Sequence, residues 1–200
     1  MKIKADIADI NIYPKHKTCV VVGHCELVGQ QGAFNPKVGT EFNYNVGIAA
    51  ELIGSADIFR YDIAPYKSFS KNYTRVIKRN MAPLTKGYKL GLELHFNAHS
   101  SEANGVEALY WHTNLVGKAV AEKFCELMHE EFGSYIRGAK PISHKGQRGF
   151  AALYYQQPTY LILEPFFCTG SEASNFDEPH EKERYAKVLR ELIAWYEINY

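Results

Sequence analysis

Leu90-Gly91-Leu92-Glu93-Leu94-His95-Phe96-Asn97-Ala98 is the stretch from which the rest of the chain is read. Leucines at 90, 92 and 94 leave no clean polar face, which predicts a strand covered on both sides. His95 arrives where that strand should end. In open α/β sheets, ligands bind outside the carboxyl ends of the strands, so an imidazole there is a first candidate for a site. Taken alone, His95 is as well explained as a satisfied core histidine. The neighbouring segments change that reading.

Outward from this strand, Thr18-Cys19-Val20-Val21-Val22 is a compact β-branched run and predicts a central strand ending at Gly23-His24. Cys25 to Thr40 is rich in Gly, Gln, Asn and Pro and reads as a long loop of the length that usually carries function. Thr40 is placed to cap a helix running from Glu41 to Ile53, with Glu41 and Asn45 on one face and Val46, Ala49, Ala50 and Ile53 turned inward. Ala56 to Arg60 is a short strand. Ser70 to Leu84 is helical and ends at Pro83. Gly105 to Trp111 reads as the strand neighbouring the His95 strand, Asn114 to Phe132 as an amphipathic helix, and Gly133 to Gln157 as a second long polar loop. Thr159 to Glu164 is a buried strand that ends in a charge, and a last helix starts at Pro179. An edge strand is expected near Ile7 to Tyr13. This alternation predicts an α/β fold, a mainly parallel sheet with helices on both faces.

Composition bounds the function. Two hundred residues, 46% of them hydrophobic, suit one domain, and we expect a single domain over residues 1–200 with its core in 18–197. A formal net charge of +1 argues against a general nucleic-acid binder, and no Lys/Arg block marks a membrane or polyanion patch. The stretch from Met1 to Ile10 carries Asp6 and Asp9 and does not read as a signal peptide. The four cysteines are scattered, with no CxxC motif, as in a reducing compartment. The expectation is a chain that is cytoplasmic as synthesised.

Three strands thus end in His24, His95 and Glu164, and Glu41 opens the helix after the first strand. In a mostly parallel sheet all four converge on one rim. Two imidazoles and a carboxylate make a zinc site of the catalytic type, and a further carboxylate supplies the proton transfers of hydrolysis. Each piece has a plain structural explanation. A first-turn glutamate suits the helix dipole. Glu164, directly after Tyr-Leu-Ile-Leu, costs stability unless it is paired or used.

The residues now match a family. Val20-Val21-Val22-Gly23-His24, Gly32-Ala33 and Glu41-Phe42-Asn43-Tyr44-Asn45 resemble the opening of the zinc-dependent N-acetylmuramoyl-L-alanine amidases. Arg75 to Asn80 is similar to their Arg-x-x-x-Ala-Asn helix, with Arg79 in place of Ala. Leu94-His95-Phe96-Asn97-Ala98 with Gly105, and Leu161-Ile162-Leu163-Glu164-Pro165-Phe166-Phe167 with Glu172 and Asn175, resemble their later blocks, in the same order. The resemblance implies Zn2+ held by His24, Glu41 and His95, with Glu164 as the catalytic acid and base. It implies cleavage of the amide between N-acetylmuramic acid and L-alanine in peptidoglycan, and a six-stranded mixed sheet. With no separate wall-binding repeat, it implies a compact lysin of the phage endolysin kind that reaches the wall after release.

Cys25-Glu26 stand where the family has two glycines, Pro165 stands where it has Gly, and Glu93 where it has Ser. Residues 93 and 95 share a strand face, so Glu93 is expected to hold the His95 ring or to pair with a nearby cation. Asn97 and Arg148 are expected at the substrate, Arg148 on its carboxylates together with His144. His99 reads as a surface residue. The competing readings are a thiol amidase using Cys25, a related zinc carboxypeptidase or deacylase, and a wall-binding module that keeps the fold without turnover.

Overall fold

The computed structural model describes residues 14–61 and 66–200, so the strand expected near Ile7 to Tyr13 lies outside the described residues. Six strands form the central sheet: β1 (Thr18–Val22), β4 (Asp57–Arg60), β5 (Leu90–Leu94), β6 (Val106–Trp111), β7 (Ile136–Ile142) and β8 (Thr159–Glu164). Their order is β4-β1-β5-β8-β6-β7. All neighbours run parallel except β6 against β8. The short pair β2 (Phe34–Asn35) and β3 (Gly39–Thr40) forms a separate antiparallel ribbon in the loop after His24.

The alternation in β5 explains why the sheet is buried twice. Leu90, Leu92 and Leu94 join one apolar cluster with Val20, Val22, Leu161 and Leu163. That cluster lies beneath α1 (Glu41–Ala50), α4 (Leu115–Phe132) and α6 (Pro179–Asn199). Val21, Tyr160 and Ile162 belong to a second cluster on the opposite face, with α2 (Phe69–Val76) and α5 (Phe150–Tyr155). Each fully buried leucine contributes about 1.5–3 kcal/mol. The caps agree with the sequence: Thr40 accepts from the Asn43 N–H, and Pro179 opens α6. No helix among the described residues is long and apolar enough to cross a membrane.

Four expectations are corrected. The first concerns β6, which is not beside β5, because β8 lies between them. A strand that follows another in sequence need not pair with it when a crossover returns a later strand to the gap.

Gly133 to Gln157, secondly, is not a loop but carries β7 and α5. β7 is the sheet's outer strand, largely open to solvent. It therefore needs no apolar alternation and tolerates Pro141.

Thirdly, the helix from Phe69 does not end at Pro83. A π-turn, Ile77–Met81, precedes α3 (Ala82–Thr85), and the Ala82 N–H reaches back to the Ile77 carbonyl. This wider register accommodates a ring that would collide with an ordinary helical turn.

Fourthly, α1 turns Phe42, Tyr44, Ile48 and Ala49 inward, whereas Ala50 is exposed and Ile53, past the helix end, is 75% exposed.

Candidate functional site

β1, β5 and β8 run the same way, so their carboxyl ends share one rim. His24 lies two residues past β1, His95 directly after β5, Glu164 ends β8, and Glu41 opens α1. All four line one cleft of about 450 Å³.

The bend that aims His24 is strained. Its φ is +64°, the one left-handed non-glycine backbone among the described residues, which costs about 1–3 kcal/mol. Gly23 is needed before it, because a Cβ there would lie 2.5 Å from the His95 ring. Gly32 (φ +80°) gives similar room, since a Cβ there would run into Glu41 and His24.

Glu41 is held at both oxygens. Oε1 lies 2.8 Å from His95 Nδ1 and accepts the Phe96 N–H at 3.1 Å. Oε2 lies 3.1 Å from His24 Nε2 and accepts the Ala33 N–H at 3.0 Å. Burial pushes the Glu41 carboxyl up, but the two imidazoles outweigh it and hold the group well below the usual carboxylate range. On α1 the next turn adds Asn45, whose side-chain amide donates to the Leu94 carbonyl at 3.2 Å and ties the helix to β5.

His95 is gripped from its other side. Its Nε2 is 2.9 Å from Glu93 Oε1, and Glu93 Oε2 accepts the Tyr160 hydroxyl at 2.9 Å. Tyr160 reaches Glu93 because it pairs with Gly91, where any Cβ would strike its ring. Residues 91, 93 and 95 thus use one strand face to build a chain from Tyr160 to the imidazole. Burial pulls the His95 pKa down, but Glu41 and Glu93 override it and hold it well above the ordinary value.

Glu164 is paired at one oxygen only. Its Oε1 accepts from Arg148 at 3.2 Å, while Oε2 is buried with no partner. Burial is the main cause that lifts its carboxyl to about 7; His95 opposes this and Glu41 adds to it. Glu107 on β6 stands directly across from Glu164, an arrangement unfavourable for two like charges. Arg148 lies between them, bonded to both and to the Asn97 side-chain Oδ1 at 2.9 Å.

Sequence reasoning missed Glu107. A lone acid inside Val-Glu-Ala-Leu-Tyr-Trp was its only signal, and its partners come from other elements: Arg137 at 2.8 Å, Arg148 and the Asn97 amide. Both polar ends of Asn97 are therefore taken, whereas Arg148 remains half exposed in the cleft wall. His99 and His144 are exposed and outside the cleft. Cys25 is buried, and burial pushes its thiol up, which disfavours a thiolate nucleophile.

The donor atoms of His24, Glu41 and His95 lie within 4.8 Å of one another, close enough that the three could hold one metal ion. The donor set is right for a cation with nitrogen and oxygen ligands. The residues also fit one sterically, because glycines clear the space around the ligands, and Glu164, one oxygen of which has no partner, lines the same cleft.

No protein-family model and no curated sequence matches the chain. Solved structures do. The catalytic domain of the CD27L endolysin targeting Clostridia difficile is 25% identical, with 88% of this chain and 96% of that one covered at a TM-score of 0.69. The CwlD amidase from Clostridioides difficile, solved with the GerS lipoprotein, is 17% identical over 90% and 98% at 0.73. AmiC2 of Nostoc punctiforme, an N-acetylmuramoyl-L-alanine amidase, is 18% identical over 92% and 98% at 0.65. The chain has the fold of the N-acetylmuramoyl-L-alanine amidases. Within this amidase fold, the cleft at the carboxyl rim of β1, β5 and β8 gathers all four residues that the sequence set apart.

Proposed function

We propose that the chain is a zinc-dependent peptidoglycan hydrolase that cleaves the amide between N-acetylmuramic acid and L-alanine. The observation that carries this reading is the meeting of His24, Glu41 and His95 with a half-satisfied, buried Glu164 in one cleft of an amidase fold. In this reading His24, Glu41 and His95 would hold Zn2+, which would supply a Lewis acid for the carbonyl and bring the pKa of water to about 7. Glu164 takes the proton from the attacking water at its free Oε2 and returns it to the leaving alanine nitrogen. A carboxyl with a pKa of about 7 suits both transfers. Arg148 steadies Oε1, so that the reacting oxygen is the other one, and its exposed side meets the carboxylates of the stem peptide. Asn97 orients Arg148. Glu93, fixed by Tyr160, holds the His95 ring with Nδ1 turned toward Glu41.

Digestion of purified peptidoglycan tests the bond. New alanine amino termini are expected, lost on adding a chelator and restored by zinc. Release of reducing sugar, or of amino groups from later peptide positions, would refute the assigned bond. The part given to Glu93 has its own test. Glu93→Gln should weaken zinc binding by about 10–100-fold in a chelator-competition titration, the usual cost of losing a partner behind a metal ligand. Tyr160→Phe should act in the same direction and less. Unchanged affinity in Glu93→Gln would remove Glu93 from the site.

A further inference from the structure

Residues 66–92 contain seven Lys or Arg (Lys67, Lys71, Arg75, Lys78, Arg79, Lys86 and Lys89) and not one of the chain's 22 Asp and Glu. The rest of the chain is consequently net negative. No block of adjacent cations announces this, because the spacings are mostly three and four. On a helix those spacings stack side chains on one face. α2 and the π-turn after it carry Lys71, Arg75, Lys78 and Arg79, all exposed, along a groove of about 670 Å³.

Several cations elsewhere are paired with carboxylates. On α4, Lys118 meets Glu122 and Lys123 meets Glu126; on α6, Arg184 and Lys187 meet Glu131. Among the described residues, none of the seven is in an ion pair with a carboxylate. The face keeps its positive potential. It also adjoins the cleft: Phe69, Ser70 and Tyr73 of α2 form part of the cleft wall beside His24 and His95.

We propose that this face docks an anionic polyphosphodiester chain borne on the same wall that carries the scissile amide. This rests on the amidase reading of the cleft. A row of cations without carboxylate partners along α2 and the π-turn, two of them resting on the Tyr66 and Tyr155 rings, matches a linear polymer with one charge per repeat. A lipid surface would call for large apolar side chains among the cations, and no exposed large hydrophobic side chain lies between residues 66 and 92. A nucleic-acid duplex would meet the net negative remainder of the chain beyond a narrow strip. A polymer seated here lies alongside the cleft and raises the local concentration of its own wall around the site.

The test compares wild type with a variant carrying Lys67→Gln, Lys71→Gln, Lys78→Gln and Arg79→Gln, none of which lines the cleft. Adsorption is measured on purified walls before and after chemical removal of their phosphodiester polymer, at low and high salt. Wild type should adsorb more strongly to intact walls, by about ten-fold or more, and lose that preference in high salt, as counterion release requires. The variant should adsorb equally to both walls. A variant that keeps the preference, or a wild type that shows none, overturns the proposal. So does displacement from intact walls by anionic vesicles or duplex DNA as readily as by the free polymer. Cleavage of a soluble muramoyl peptide is followed in parallel and should be equal in the two proteins. If neither cleaves it, the reading of the cleft fails while the adsorption result still stands on its own.

Discussion

Glu164→Gln should give a protein that folds, binds its cation and cleaves wall about 10²–10⁴-fold more slowly, the usual worth of a positioned general base. Glutamine preserves the volume and an oxygen for Arg148 but neither takes nor returns a proton. The same variant has a second readout in stability. The folded protein holds the Glu164 proton to about 7, whereas the unfolded chain releases it near the ordinary 4.5. Over that interval the unfolded state is the one that gains by ionising. Wild type should therefore lose stability relative to Glu164→Gln as pH rises from 4.5 through about 7. The loss approaches about 3 kcal/mol, at 1.36 kcal/mol per pKa unit. Denaturant unfolding of the cation-free proteins at pH 4.5 and pH 8 measures it. Stability differences that stay constant between the two pH values would contradict the buried, half-paired carboxyl, and undiminished hydrolysis would contradict its catalytic part.

Glu41→Gln should have the larger effect on binding. Glu41 joins two imidazoles and two backbone N–H groups, so losing its charge removes one proposed ligand and the counter-charge of the other two. Zinc affinity is expected to fall by more than the ~100-fold that marks outer partners. The cation-free protein should also lose about 3 kcal/mol, the cost of breaking a buried pair.

That loss depends on pH in a defined way. The depressed Glu41 pKa gives stability that is present above 4.5 and fades as pH falls through the folded value. The raised His95 pKa gives stability that is complete below 6.5 and fades as pH rises through its folded value. The gap between wild type and Glu41→Gln should be widest between pH 4.5 and 6.5 and narrower on either side. A gap that does not change with pH would show that the variant loses packing rather than an ion pair.

Much of the fold was legible because its strands are buried on both faces. β1, β5 and β8 are mostly apolar runs, and each carries the chain into a polar side chain at or just past its end, at His24, His95 and Glu164. Helix ends were legible where a cap announces itself, as at Thr40 and Pro179. Legibility failed where solvent relaxes the pattern. β7 at the sheet edge has no apolar stripe, and α5 is a short helix between polar turns. It failed again at Pro83, where a local rule against proline yielded to a widened turn. The cationic face of α2 escaped notice because helical spacing scatters along the sequence what the helix gathers in space.

Residue type and order alone determined the α/β class, the strand ends and the identity of the four side chains at the cleft, since burial and capping are local demands written in neighbouring residues. Only the tertiary structure decided that β8 enters between β5 and β6. This strand order sets Tyr160 against Gly91 within reach of Glu93 and Glu164 against Glu107, and Arg148 then fills the space between the two acids. Strand order and register follow from how whole faces pack together, a sum over distant contacts that no short stretch of chain contains.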